Sequence, residues 1–309
     1  MQVEHAAAEA RARRCCSHLA SGPIVKWLPV KLSFLPLLQV QRDLYALPRG
    51  MERFREYIKT MTDAETGDLA LPLVAMNPMG KEHIPALIDE YIALGAEQIA
   101  QNAIESAERS YERSHERSHE RPHERPHERT YERSYERSYE RSYERPDERS
   151  YKVCLVVSDD LKGGWTNRWA SEYNHRIESA AIRNRGWLTA LLWTSEPASA
   201  ATVRESVLIE IYRAEYLQTH RAATTLREMM AQEGYAAARA GCTTPALDPD
   251  DLAYTRAVVA PHLDAHDRAT VIACLFGDPA AIALGYPPQG LSGRAGLALA
   301  LAEAQGRLA

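Results

Sequence analysis

The residues best suited to chemistry stand in the stretch DDLKGGWTNR, residues 159–168, which directly follows a short apolar run. Asp159 and Asp160 offer carboxylates that transfer protons or bind Mg²⁺. Lys162 and Arg168 add positive charge, and backbone N–H groups at the start of a following helix attract anions. The stretch therefore predicts a site for a small anionic molecule, either a phosphate or a carboxylate compound.

Polar residues also follow three other apolar runs, in the stretches NPMGKEH (77–83), TSE (194–196) and GD (277–278). Loops that follow the strands of a parallel sheet meet at its carboxyl edge, where ligands bind in such folds. We therefore expect the four stretches to lie together. The predicted catalytic residues are Asp159, Asp160 and Lys162. The predicted substrate-binding residues are Asn77, Lys81, Gly163, Gly164, Thr166, Asn167, Arg168, Glu196 and Asp278.

Known sequence motifs do not narrow the chemistry further. The stretch GKEH lacks the upstream glycine and the Ser or Thr of a P-loop, and neither a dinucleotide fingerprint nor a nucleophile elbow is present. No residue is assigned to a metal, and the cofactor stays open, with Mg²⁺ as a candidate. Glu172 and His175 have the spacing of a metal-binding pair on a helix, although a solvated pair is favoured. Cys242 is a candidate nucleophile, although a buried thiol is favoured.

Four short apolar runs at 69–75, 152–158, 187–193 and 270–276 predict the strands that position these loops. Segments with helical periodicity separate them; in one, Ile84, Leu87, Ile88 and Tyr91 share a face. Strands that are near-continuous apolar runs and alternate with helices are typical of a parallel sheet covered on both faces. We therefore expect one α/β domain, a three-layer Rossmann-like fold with a mostly parallel sheet of about four strands.

A tetrapeptide repeat, Glu-Arg-(Ser/Thr/Pro)-(Tyr/His/Asp), interrupts the predicted domain at residues 108–151. Its period of four differs from the 3.6 residues of a helical turn, so its tyrosines and histidines never build one apolar face. Eleven arginines stand against eleven glutamates and Asp147, which leaves no charge excess for nucleic acid. We interpret the repeat as a disordered or partly helical insertion without function, with a partner-binding arm as the main alternative. Metal binding by its histidines is a further alternative.

The repeat divides the chain into the remaining predicted segments. Residues 1–50 lack sustained periodicity and are interpreted as a poorly ordered extension, with Met51 as the possible true start. Residues 51–107 and 152–309 form the two parts of the α/β domain. Its acidic charge argues against nucleic-acid binding. No apolar run reaches the roughly 18 residues of a membrane span, and five cysteines without a disulfide or zinc spacing favour the reducing cytoplasm.

Two functional interpretations remain, and the sequence names no reaction for either. In the leading one, the chain is a small-molecule enzyme in which Lys81, Lys162 and Arg168 hold an anionic substrate. Asp159 or Asp160 then acts as a base or as a metal ligand. In the alternative, the same loops belong to a non-catalytic ligand-binding or assembly protein. The oligomeric state stays open.

Overall fold

Three short strands form a parallel sheet. The computed structural model describes residues 31–119, 150–161 and 167–306. Within them the strands are β1 (Lys31–Phe34), β2 (Ser150–Ser158) and β3 (Trp187–Trp193), in the order β1-β2-β3. Every residue of β3 and all but two of β2 are buried, because helices cover both faces of the sheet.

The strand register decides which loops meet at the carboxyl edge. Ser158 at the end of β2 lies opposite Trp193 at the end of β3, so these two strands end at the same level. Strand β1 ends before it reaches this level, because its last residue, Phe34, lies opposite Val153 in the first half of β2. The residues that follow β2 and β3 therefore form the carboxyl edge.

Helices make up most of the described chain. In chain order the α-helices are α1 (Leu38–Ala46), α2 (Met51–Met61), α3 (His83–Ala93), α4 (Ala96–His119), α5 (Arg168–Tyr173), α6 (Ala180–Asn184), α7 (Ala200–Thr219), α8 (Leu226–Ala240), α9 (Pro249–Val259), α10 (Arg268–Phe276), α11 (Asp278–Ala283) and α12 (Ala295–Ala304). A π-helical turn spans Asn174–Glu178, and a 3₁₀ turn spans Ala260–His262. Several starts are set by side-chain caps: Ser199 caps α7, and Thr225 and Glu228 form a capping box on α8.

Two apolar clusters hold these elements together. The first surrounds the sheet and takes in buried residues of α1, α3, α4 and α7, such as Leu38, Ile88 and Val207. The second joins α8 to the C-terminal helices through residues such as Met229 and Phe276. Helix α8 packs against both α7 and α12, so it connects the two clusters. None of the helices described is long and apolar enough to cross a bilayer.

The predicted α/β class and parallel sheet are confirmed, as are the strands at 152–158 and 187–193. The predicted strand at 270–276 is wrong, because this run is helix α10. Asp267 caps that helix by accepting the N–H of Thr270, and the helix is buried from Val271 to Phe276. A helix buried on all sides has the same continuous apolar sequence as a buried strand.

The predicted strand at 69–75 is also wrong, since its only pairing with another described residue is an isolated antiparallel bridge from Leu69 to Thr62. Its place in the sheet is taken by β1, from the segment that the sequence analysis assigned to a poorly ordered extension. Helix α1 from the same segment packs against the sheet: the Gln41 amide donates to the carbonyl of Leu155 and accepts the N–H of Val157. Residues 31–50 therefore belong to the fold, whereas residues 1–30 lie outside the described residues.

The repeat begins inside helix α4, which runs through its first twelve residues to His119. Tyr111 of the first repeat unit packs edge-on against Tyr212 of α7, with 6.4 Å between ring centroids. Beside this pair lies Glu215, which is buried and accepts the hydroxyl of Tyr235 at 2.7 Å. The remainder of the repeat up to residue 149 lies outside the described residues, so its predicted lack of function stays a prediction.

Glu215 gives the protein a pH-dependent contribution to its stability. Burial raises the pKa of this carboxyl although Tyr235 and Arg239 favour its charged form. A raised pKa means that the unfolded state ionises first, so this contribution falls as pH rises through and above the ordinary glutamate value. We expect the stability of Glu215→Gln relative to the wild type to increase between pH 4 and pH 8, by an amount on the order of 1 kcal/mol. Urea unfolding at several pH values measures it, and a constant difference would contradict it.

Helices α8 and α12 approach so closely that Gly234 has no room for a side chain. A Cβ at this position would lie 2.4 Å from the carbonyl oxygen of Ala300. Glycine-to-alanine changes inside helices usually stabilise by about 1 kcal/mol. We expect Gly234→Ala to destabilise instead, by about 1–3 kcal/mol, because the helices must move apart. Urea unfolding measures the loss of stability. Ala231→Gly, at an exposed position of the same helix, measures the difference in helix propensity between alanine and glycine without a change in packing. A Gly234→Ala protein that is more stable than the wild type would refute the close approach.

Candidate functional site

A buried carboxylate, Asp159, stands at the end of β2 and gathers partners from three parts of the chain. Its Oδ2 accepts the Asn77 amide at 3.0 Å, and its Oδ1 lies 2.8 Å from Nε2 of His83. The Thr194 hydroxyl, which follows β3, lies 3.2 Å from the same Oδ1. Burial raises the pKa of Asp159, but the hydrogen bonds from His83 and Asn77 outweigh it and lower the pKa below its usual range. Asp159 is therefore a fixed anion.

This anion sets the protonation pattern of His83. A carboxylate only accepts hydrogen bonds, so Nε2 of the ring carries the proton. In the neutral ring Nδ1 is then the basic nitrogen. A histidine oriented by a buried carboxylate is the arrangement in which histidine transfers protons in enzymes. The side chain of His83 is 19% exposed, so part of it contacts solvent.

Asp160, the next residue, faces a different set of partners. Its Oδ1 accepts the Ser195 N–H at 2.8 Å and lies 3.0 Å from the Thr194 hydroxyl. Its Oδ2 accepts the Ser195 hydroxyl and Nη1 of Arg168 at 2.9 Å. The single proton of Thr194 can go to either aspartate, so this hydroxyl links the two carboxylates.

Arg168 begins helix α5 and lies between carboxylates from three segments. Its guanidinium bonds Asp160 and Glu196, and its Nε lies 3.6 Å from Glu172. It also stacks over Trp193, with 5.0 Å from its central carbon to the ring centroid. Although burial lowers the pKa of Arg168, these carboxylates raise it above its usual value, so the charge is permanent.

Beyond Arg168 the charges continue as a largely buried network of ion pairs. Glu172 accepts both terminal nitrogens of Arg294 at 2.8 Å and Arg176 at 2.7 Å. Arg176 also bonds Glu233 of α8. The whole network consists of Asp160, Arg168, Glu172, His175, Arg176, Glu196, Glu210, Arg213, Glu233 and Arg294.

The far end of the network is centred on Arg213, whose side chain is only 1% exposed. Arg213 bonds Glu233 at 2.7 and 2.9 Å and also bonds Glu210, which lies 3.0 Å from Nε2 of His175. Burial raises the pKa of Glu233, but the charges of Arg213 and Arg176 lower it to about 2. The pKa of Glu210 is lowered in the same way, by Arg213 and His175 against burial. Both glutamates are therefore ionised at neutral pH.

A cavity of about 110 Å³ opens onto the network. Arg168, Arg176 and Arg294 line it together with Glu196, and Trp193 of β3 forms part of its wall. A second cavity of about 240 Å³ adjoins it, because Arg176, Glu196 and Arg294 line both. The two cavities lie beside the carboxyl edge of the sheet, where ligands bind in parallel α/β proteins.

Arg294 reaches the network from an unusual backbone conformation. Its φ of 62° places it in the left-handed region, where the described chain otherwise has only glycines. This conformation directs the guanidinium to both oxygens of Glu172. Residues other than glycine with such strained backbones occur more often at binding and active sites than elsewhere in proteins. The conformation of Arg294 is therefore consistent with a binding site at this cavity.

The structure brings some of the predicted site residues together. Asn77, Asp159, Asp160, Arg168 and Glu196 meet at the carboxyl edge through the contacts given above. Asn77 reaches the edge although no strand precedes it, because the Ser158 hydroxyl bonds the carbonyl of Ala75 and holds that segment beside β2.

The other predicted site residues have different positions. Asn167 is the N-cap of α5, with its side-chain oxygen on the N–H groups of Trp169 and Ala170. Lys81 is exposed, two residues before His83. Asp278 is not at the sheet edge, because helix α10 precedes it and its carboxylate accepts the N–H groups of Gln289 and Gly290. Lys162, Gly163, Gly164 and Thr166 lie outside the described residues.

Two residues set aside in the sequence analysis belong to the network. The preference for a solvated Glu172–His175 pair was wrong, because Glu172 is 3% exposed and bonded to arginines. Each of the two has its own partners, and within the described residues no group of three or more His, Cys, Asp or Glu side chains is arranged to hold a metal ion. Cys242 lies buried in the wall of the second cavity, where burial raises the pKa of its thiol to about 11.

His83 and Arg294 are site residues that were not predicted from the sequence. His83 stands in the stretch NPMGKEH, and its helical position at the start of α3 directs it to Asp159. A histidine and an aspartate 76 residues apart leave no local spacing signal. Arg294 had a weak signal, since it lies between glycines in the stretch SGRAG. Comparison of the chain with known protein families, with curated proteins and with solved structures finds no match.

Proposed function

We propose that the protein is an enzyme that acts on a small carboxylate- or phosphate-bearing molecule by proton transfer at the carboxyl edge of its sheet. The observation that carries the proposal is the pair of His83 and Asp159, with 2.8 Å between Nε2 and Oδ1. Asp159 is 1% exposed and is held by Asn77 and Thr194. A buried carboxylate with this many partners keeps the ring oriented, which general acid–base catalysis requires.

In this proposal Nδ1 of His83 takes a proton from the substrate, and Asp159 stabilises the imidazolium that forms. Arg168 provides the charge for the acidic group of the substrate. Thr194 connects the His83–Asp159 pair to Arg168. Its hydroxyl lies within 3.2 Å of both Asp159 and Asp160, and Asp160 bonds Arg168.

A specific observation favours a second candidate, a ligand-binding protein without turnover. His83 does not line either cavity beside the network, as far as the described residues define them. A ligand held wholly within those cavities would then not meet the basic nitrogen.

Two measurements on the wild-type protein separate the candidates. A thermal-shift screen of carboxylate and phosphate metabolites first identifies compounds that stabilise the fold, since ligands that bind only the folded state raise its melting temperature. Each such compound is then incubated with the protein and followed by NMR. Conversion of a binding compound supports the enzyme. Binding without conversion of any compound supports the second candidate, and no stabilisation by any compound would refute both.

A further inference from the structure

The charges around the cavities favour a ligand that carries both signs of charge. Among the described residues, the network holds four arginines and five carboxylates, so these residues give it no excess of positive charge. A free phosphate or a simple carboxylate would add negative charge beside carboxylates that already lie within the network. Burying a charge without compensation is costly, so a ligand that supplies its own cation fits better.

One residue is placed to exchange partners with such a ligand. The side chain of Glu196 is 38% exposed, the most exposed member of the network, and its hydrogen bond within the network is to Arg168. When Glu196 turns to a ligand ammonium group, Nη2 of Arg168 is released to bind the ligand carboxylate, while Nη1 keeps its bond to Asp160. Each of the four charges then has an opposite partner, and none is buried alone.

The second cavity provides room for an apolar substituent. It shares Arg176, Glu196 and Arg294 with the first cavity, and the rest of its lining combines Glu205 and Glu233 with apolar residues such as Ala237, Pro245 and Leu297. A cavity whose walls combine apolar side chains with a few placed charged groups is typical of sites for small amphipathic molecules.

We infer that the two cavities bind an α-amino acid with an apolar side chain. The ammonium and carboxylate groups lie between Glu196 and Arg168, and the side chain extends toward Ala237 and Leu297. This inference rests on the proposed function in taking Arg168 as the group that binds the acidic part of the ligand. It concerns binding alone and, since His83 lines neither cavity among the described residues, it holds for either candidate above.

The test compares four compounds by isothermal titration calorimetry with the full chain. L-leucine carries all three recognised parts, 4-methylpentanoate lacks the amine, 3-methylbutylamine lacks the carboxylate, and glycine lacks the side chain. We expect L-leucine to bind at least about tenfold more tightly than each of the others, because each lost group leaves a charged or apolar partner unmatched. Binding of 4-methylpentanoate as tight as that of L-leucine, or no binding of any of the four, would overturn the inference.

Two variants check the assignment of the groups. Glu196→Gln should abolish the preference for L-leucine over 4-methylpentanoate, because it removes the partner of the ammonium group. Ala237→Leu narrows the apolar end and should weaken L-leucine while leaving glycine unchanged. If Glu196→Gln still prefers L-leucine over 4-methylpentanoate, the ammonium group binds elsewhere, and the proposed exchange of Glu196 from Arg168 to the ligand is refuted. Conversion of a phosphate compound by a protein that ignores amino acids would refute this inference and leave the proposed function standing.

Discussion

Replacing Arg213 with methionine should destabilise the protein by about 3–5 kcal/mol, because it leaves Glu210 and Glu233 buried without their main counter-charge. Arg213 is 1% exposed, and it donates three of its hydrogen bonds to these two carboxylates. Methionine keeps much of the apolar volume of arginine, so the loss measures the charge more than a cavity. Urea or guanidinium unfolding of wild type and variant gives the difference in the free energy of unfolding.

Arg256→Met is the matched control for this prediction. Arg256 pairs with Glu303 on the surface, and both side chains are 45% exposed. An exposed pair contributes about 0–1 kcal/mol, so the same chemical change should cost little there. Equal losses in the free energy of unfolding for Arg213→Met and Arg256→Met would mean that burial does not increase the contribution of the ion pair to stability.

The loss caused by Arg213→Met should also depend on pH. In the wild type the pKa of Glu233 is lowered to about 2 by Arg213 and Arg176 despite burial, so the stability from this group is present above its ordinary value of 4.5 and is lost as pH falls toward 2. Without Arg213 that contribution shrinks. The difference between wild type and variant is therefore largest near neutral pH and decreases below about pH 4. A difference that is the same at pH 3 and pH 7 would contradict the role of Arg213 as counter-charge.

The sequence predicts the centre of the fold but not its boundaries. The runs at 152–158 and 187–193 are correct as strands, because each is an almost continuous apolar run followed by a polar loop. The run at 270–276 has the same appearance, yet it is a helix, since burial on all sides removes the polar face that reveals helical periodicity. Strand β1 has only four residues, and two of them are charged or polar, so no pattern within it predicts a strand.

The site was predictable where it depends on strand ends and not where it depends on distant partners. Asp159, Asp160 and Glu196 follow β2 and β3, and parallel strands that end at one level bring such residues together. Asp278 was misplaced together with the strand that was expected before it. The buried arginine network left no signal, because Arg213 and Glu233 each look like a solvated residue of an amphipathic helix until the packing of α7 against α8 is known.

Replacing His83 with glutamine should reduce turnover of the substrate by about 10²–10⁴-fold, the usual contribution of a positioned general base. Glutamine keeps a donor for the hydrogen bond to Asp159, so the fold and the binding of the substrate should be preserved. The reduction should appear in kcat, with KM changed little, because the proton transfer occurs in the transition state.

Two further variants distinguish a proton-transfer role of His83 from a structural one. His220→Gln changes a histidine that stands exposed just beyond helix α7, and it should leave turnover unchanged. Asp159→Asn keeps the size of the side chain but replaces the anion by a neutral amide, so it no longer stabilises the imidazolium and should lower kcat by at least about tenfold. Comparable turnover of His83→Gln and wild type would exclude His83 as the base and would leave ligand binding without turnover as the function that the cavities support.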